Sequence, residues 1–320
     1  MRGFRRLIAF MLLVLGPLSA SAAEYPNRVV KIIVPFGAGG PADIFARVLA
    51  QHLSAETKQS FIIEDRPGAG SIIGTDVVAK SAPDGYTLLV MSNTHTTNES
   101  LMPNKPFQLM RDFVPVAGIN SSDLVMVVPK TSPVKSVKEF IDLAKKEPGK
   151  LNYASSGIGT PYHMAGELFK AMAGINVVHV PYKASGDARN AVLAGTVDMM
   201  FDAVSTMVPL AKAGQVRALG TTGLKRSQLT PDLPTVAETV PGYEATIWIG
   251  LMAPKDTPAE IVTFLNKSIN KVMAKPEVKA AWLKQGAVPM VMSPAEFGVF
   301  LRKDIEKWAN VVKISGAKAN

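Results

Sequence analysis

No cysteine occurs in the 320 residues. That excludes a disulfide framework, cysteine-ligated zinc, iron–sulfur clusters and a lipoprotein anchor cysteine. Long apolar runs are equally scarce. Beyond the N-terminal segment no stretch approaches the ~20 apolar residues a membrane helix needs. Glycine and proline, 25 and 23, are too few for a collagen-like or proline-rich chain. Histidine is sparse. His52, His95, His163 and His179 show no H-E-x-x-H spacing, so no metal site is expected. A G-x-S-x-G elbow is absent, and the S-x-x-K matches at Ser132 and Ser268 lack S-D-N and K-T-G partners. No basic run with interleaved aromatics occurs, so nucleic-acid binding is not expected. What remains is a chain of 47% hydrophobic residues, long enough for about two domains with substantial cores.

The first 23 residues read as an export signal. Met1 to Arg6 is a short positive segment, Leu7 to Leu15 an apolar run, and Ala20-Ser21-Ala22 a small-residue cleavage site. Cleavage is expected after Ala22 or Ala23. Without Arg2, Arg5 and Arg6 the 35 basic residues become 32, against 26 acidic, a net +6 on a soluble, exported protein.

The remainder alternates strand-like and helical patterns. Val29 to Pro35 is a β-branched run, followed by Gly37-Ala38-Gly39-Gly40 and a helix opened by Pro41. Phe61 to Ile63 and Tyr86 to Met91 are further strands, with a helix over 72–81 between them. Strand-like runs at 114–119 and 124–129 meet at Asn120 to Asp123, after which the pattern restarts. The tail beyond Pro258 reads as helical, without a new sheet's worth of strands, so it is expected to pack on an existing domain. The expectation is α/β: two domains, each a mainly parallel sheet flanked by helices, with a ligand cleft between. Domain 1 would comprise 24–121 plus 244–320, and domain 2 would comprise 122–243.

Two loops carry the candidate chemistry. Gly37-x-Gly39-x-x-Ala42 follows a strand and opens a helix, like the looser dinucleotide fingerprint, with Glu64 and Asp65 closing the next strand. Export, Pro41 and Asp43 count against a nicotinamide cofactor. The anion site formed by N–H groups at a helix start survives without one. Asp43 is expected to reach back to the Gly40 N–H. Ser155-Ser156-Gly157-Ile158-Gly159-Thr160-Pro161 repeats the device in the second half, with Thr160 as cap and Pro161 as first helical residue. His163 falls in that helix's first turn, as a neutral donor or loop clamp. Asp202 closes a strand, where open α/β sheets bind ligands. Segments 92–98, 182–185 and 202–205 are expected to shape the pocket, adding Ser92, Thr94 and Tyr182. Thr94, Thr96 and Thr97 would form a hydroxyl-rich wall. No catalytic residue, cofactor or metal is expected.

These segments resemble the tripartite tricarboxylate transporter receptors, the Bug-type periplasmic solute-binding proteins. The resemblance covers essentially the whole mature chain through YPNRVVKIIVPFGAGGPAD (25–43), EDRPGAGSIIG (64–74), APDGYTLL (82–89), DFVPVA (112–117), PGKLNYASSGIGTPYHMAGELF (148–169), VPYKASG (180–186), DLPTVAE (232–238) and WIGLMAP (248–254). It implies a type II-like two-domain binding fold that closes on a ligand. A carboxylate would be held by Phe36, Ala38, Gly39, Gly40 and Asp43 on one side. Ser155, Ser156, Gly157, Gly159, Thr160 and His163 would hold it on the other. Ala38, Asp65 and Ala184 depart from the family's usual Pro, Asn and Gly. The resemblance implies a monomeric periplasmic receptor for a di- or tricarboxylate, acidic amino acid or aromatic acid, partnered by membrane permease subunits. Two other classes share this sequence pattern: an exported enzyme using Ser155 or Ser156 with His163, and a sensor for a signalling partner.

Overall fold

The computed structural model describes residues 25–227 and 229–318; the expected export signal and its cleavage site lie outside them. The chain runs β1 (Val30–Val34), α1 (Pro41–Thr57), β2 (Phe61–Asp65), α2 (Ile72–Ala79), β3 (Thr87–Ser92), α3 (Asn93–Leu101), α4 (Leu109–Asp112), β4 (Phe113–Ser122) and β5 (Leu124–Pro129). It continues through α5 (Val137–Lys146), β6 (Asn152–Ser155), α6 (Pro161–Ala173), β7 (Val178–Pro181), α7 (Ser185–Ala194), β8 (Met199–Ala203), α8 (Val204–Lys212) and β9 (Val216–Thr221). It ends with β10 (Ile247–Pro254), α9 (Ala259–Ala274), α10 (Pro276–Lys284), β11 (Ala287–Pro289) and α11 (Pro294–Ser315).

The strands form two sheets, ordered β11-β4-β10-β3-β1-β2 and β7-β6-β8-β5-β9. They explain the uninterrupted apolar runs, because helices cover both faces. In β1, Ile32 packs with Phe45, Leu49 and Leu53 of α1 on one side, and Ile33 with Val78 and Phe107 on the other. In β5, Leu124, Met126 and Val128 face one core, and Val125 and Val127 face another.

The sheets are mixed, which corrects the expectation of mainly parallel ones. Strands joined through helices pair in parallel: β1 with β2 and β3, and β6 with β7 and β8. β10 runs antiparallel to β3 and β4, and β5 antiparallel to β8 and β9. Geometry dictates the reversal. The chain leaves β4 at the end of its sheet that faces the second sheet. β5 therefore starts at the near end of the second sheet and runs away from it; β10 does the same on the return. Helix-linked strands all run towards the facing ends.

The tail is helical apart from one short strand, which the sequence pattern did not show. β11 pairs with β4. Helix α11 spans both halves: Phe297 and Leu301 pack in a core of the first sheet, Trp308 and Val311 in a core of the second.

Candidate ligand-binding cleft

The C-terminal ends of the helix-linked strands line a cleft of about 680 Å³ between the two sheets. Six helices start on its walls: α1, α2 and α3 from one domain, and α6, α7 and α8 from the other. A helix start presents unpaired N–H groups and the positive end of the helix dipole. Side chains usually cap such groups. Here α1, α2, α7 and α8 begin at Gly40, Ser71, Ala184 and Ala203 without any side-chain cap bond. Only α3 and α6 are self-capped, Ser92 accepting from the Thr94 N–H and Thr160 from the His163 N–H.

Among the described residues Lys183 and Arg189 bring positive charge to the lining, and no acidic side chain does. Arg189 is anchored from behind. Its Nε pairs with Asp202 Oδ2, and its Nη2 lies 3.2 Å from Oδ1. Asp202 is 0% exposed, and the Ala203 N–H donates to its Oδ1 at 2.7 Å. Burial pushes the Asp202 carboxyl above the usual carboxylate range, against the Arg189 and Ala203 donors. Asp202 thus positions Arg189 instead of reaching the cleft.

In the first loop Asp43 Oδ2 accepts from the Gly39 N–H at 2.8 Å, not from Gly40 as expected. Gly39 has φ 75°, which turns its N–H back towards Asp43. Arg47 Nε lies 2.6 Å from the other Asp43 oxygen, and Arg47 Nη2 lies 2.7 Å from Asp65. Burial opposes the Asp43 charge, but the Gly39 N–H and Arg47 outweigh it and hold the carboxyl below its ordinary range. Burial and then the Asp43 charge push Asp65 up. Asp65 faces Arg47 and does not line the cleft.

The second loop is tied down by two histidines. Ser155 Oγ lies 2.6 Å from His179 Nε2 and accepts from the Gly157 N–H at 3.1 Å. His163 Nδ1 accepts from the Gly159 N–H at 3.1 Å. The two imidazoles stack with centroids 4.0 Å apart, and His179 stacks on Tyr153 at 4.9 Å. Tyr153 donates to Glu167 at 2.6 Å. Burial pushes His163 down to about 4 and His179 to about 3. Both rings are therefore neutral at working pH, and His163 is an acceptor clamp. Ser155 is wholly buried and partnered by His179, so it offers no nucleophile to the cleft.

Residues 45–317 match the model of the tripartite tricarboxylate transporter family receptor. The chain belongs to this family. BugT of Bordetella pertussis is 37% identical over 301 residues, covering 93% of this chain and 92% of BugT. The solved structure of Rpa4515 from R. palustris with adipate superposes with TM-score 0.84 at 35% identity, covering 92% of this chain and 99% of that one. MatC from Rhodopseudomonas palustris, solved with malate, gives 0.80 at 30% identity, covering 90% and 100%. The receptor is thus a periplasmic solute-binding protein of the two-domain fold. It binds a carboxylate for a tripartite-type membrane permease.

Of the residues singled out in the sequence, Phe36, Ala38, Gly39, Gly40, Ser92, Thr94, Ser156 and Thr160 line the receptor's cleft. Asp43, Ser155, Gly157, Gly159, His163, Tyr182 and Asp202 lie outside the lining, as supports of the loops. The Tyr182 N–H donates to the Ser155 carbonyl at 2.9 Å. The hydroxyl-rich wall shrinks to Thr94, because Thr96 is buried against Asp304 at 2.6 Å and Thr97 is buried as well. Arg189, Ser71 and Thr206 line the cleft without having been singled out.

Proposed function

We propose that the receptor takes a small dicarboxylate. The observation that carries this is that the cleft is positive and, among the described residues, free of acidic side chains. Six helix starts, Arg189 and Lys183 face it, with no acidic side chain among the described residues. An amino acid's ammonium group would find no carboxylate partner there, whereas two carboxylates find donors on both walls. Similar receptors solved with adipate and malate support the same class.

The first carboxylate is gripped by backbone around Ala38 to Gly40 and by Ser156 and Thr160. Phe36, Ser92 and Thr94 shape the wall. Asp43, Ser155, Gly157, Gly159, His163, Tyr182 and Asp202 hold the contacting loops in place. Residues 24–121 with 244–320 form one domain and 122–243 the other, with the end of α11 reaching across. The mature chain starts after Ala22 or Ala23 and acts as a monomer.

Calorimetric titration of residues 24–320 with succinate, malate, adipate, citrate, glutamate and benzoate tests this. Dicarboxylates should bind and also raise the melting midpoint by several degrees. A ligand at 100 times its dissociation constant stabilises by about 2.7 kcal/mol. Binding of glutamate or benzoate alone would overturn the dicarboxylate reading.

A further inference from the structure

Ser71 lies on the first-domain wall at the start of α2. Its backbone has φ 79° and ψ −5°, a left-handed conformation that residues other than glycine seldom adopt. Ala69 is left-handed too, at φ 46°, with Gly70 between them at 61°. Two bonds hold this turn from outside. Asn98 Nδ2 of α3 donates to the Gly70 carbonyl at 2.8 Å, and Thr75 Oγ1 donates to the Ser71 carbonyl at 2.8 Å.

A serine heading a helix ordinarily has an extended backbone and turns its hydroxyl onto the helix's own N–H groups. Ser71 has neither: the left-handed backbone replaces the extended one, and no cap bond forms. The residue is only 4% exposed, and its Oγ is buried without a protein partner. Both features are unfavourable for the fold, since a buried hydroxyl wants a partner and a left-handed turn wants glycine. Glycine at this position would remove both problems. A ligand atom in the cleft resolves the first and gives the second a purpose.

We propose that Ser71 is a ligand-reading residue. Its hydroxyl donates to a carboxylate oxygen of the bound molecule, and the left-handed turn aims it there. This rests on the dicarboxylate reading above. With Ser71 in one domain and Arg189 in the other, the ligand is bonded by a side chain from each wall as well as by helix starts.

The test is calorimetric titration of the mature parent, S71G and S71A with adipate and malate. Melting curves without ligand are recorded alongside. Both variants should bind about 10-fold more weakly, as expected for one lost hydrogen bond to a charged group. S71G should melt at least as high as the parent, because glycine adopts the turn freely. Unchanged affinity in either variant overturns the proposal. So does a loss in S71G alone, which would point to backbone stiffness instead of the hydroxyl. A parent that binds neither acid overturns the dicarboxylate reading and this one with it. A parent that binds while both variants match it overturns only the role of Ser71.

Discussion

Replacing Arg189 by methionine separates two jobs that one side chain performs. Arg189 neutralises a carboxylate that has no water around it, since Asp202 is 0% exposed. Removing one partner of a buried pair costs about 3–5 kcal/mol. The Arg189 side chain is 24% exposed and the Ala203 N–H stays on Asp202, so the low end applies, roughly 3 kcal/mol. At about 2–4 °C per kcal/mol for a chain of this size, the melting midpoint should fall by roughly 6–12 °C. The loss should depend on pH in a definite direction. Burial already holds Asp202 above an ordinary carboxyl, and removing Arg189 raises it further. An acid with a raised folded pKa contributes stability below its unfolded value, about 3.9, and loses it as pH rises through the folded value. The deficit of R189M therefore grows from about pH 4 upwards and shrinks on acidification. Changing Asp202 to leucine in the same chain removes the stranded charge, and replacing both partners of such a pair is often close to neutral. The double variant should regain most of the lost melting temperature. It should not regain adipate affinity, expected to fall about 10- to 100-fold for a lost bond to a charged group. Melting curves at pH 4.5, 6 and 8, with calorimetry on each variant, supply the readouts. R189M as stable as the parent at pH 8, or a double variant that recovers affinity together with stability, would refute the reasoning.

Four further outcomes can be checked with the same instruments. H163F keeps a ring in the stack but leaves the Gly159 N–H without an acceptor, which should lower stability by about 1–3 kcal/mol and weaken ligand binding. In the parent, the His163 clamp should stay neutral from pH 8 to about 5 and be lost near pH 4, where His163 takes a proton. Stability from the neutral imidazoles is full above the unfolded value of about 6.5 and is lost as pH falls towards about 4. Asp123, between β4 and β5, is pushed up to about 6 by burial and by Glu244. The Asp123 contribution to stability should thus fall between about pH 4 and 6 as pH rises. D123N should melt several degrees higher than the parent at pH 7.5 and alike at pH 4, whereas equal midpoints at pH 7.5 would exclude the effect. A Cβ at Gly166 would run into the Tyr153 ring, so G166A should cost at least 1–3 kcal/mol and loosen the histidine stack behind the second loop, seen as a lower midpoint and weaker binding.

Helix starts were legible in the sequence because their chemistry is local. Proline suits the first helical position whatever surrounds it, and α1 and α6 begin at Pro41 and Pro161. β10 was harder to read. All eight of its residues are buried, so it shows no alternation, and it becomes a strand only through β3 and β4 on either side. Helix α3 was invisible for the opposite reason. Its buried face is polar: Asn93 binds the Thr246 carbonyl and the Trp248 N–H, Thr96 binds Asp304, and Asn98 holds Gly70. Apolar periodicity cannot reveal a helix packed through hydrogen bonds. Arg189 reads as an ordinary helical arginine until β8 brings Asp202 beneath it. Nothing local marks Ser71, because its backbone angle and its unpartnered hydroxyl exist only in the folded turn.

The sparse charge on the cleft walls has a mechanical consequence. Three helix starts from each domain face one space, each carrying roughly half a positive charge at its end. Asp43 and Asp202 are each paired with an arginine, so neither leaves an uncompensated negative charge to offset those ends. Drawing the walls together around water alone brings six like poles closer as the screening solvent leaves. An anion between them reverses the sign of every one of those terms, and a second carboxylate does so for the ends the first does not reach. Closure is then favoured by the ligand itself, through its greater affinity for the closed arrangement. A dianion long enough to touch both sets of helix starts should drive closure further than a monocarboxylate of equal size. Solution scattering with adipate against hexanoate reads that difference directly: equal contraction by the two acids would show that helix-end electrostatics is not what closes the cleft.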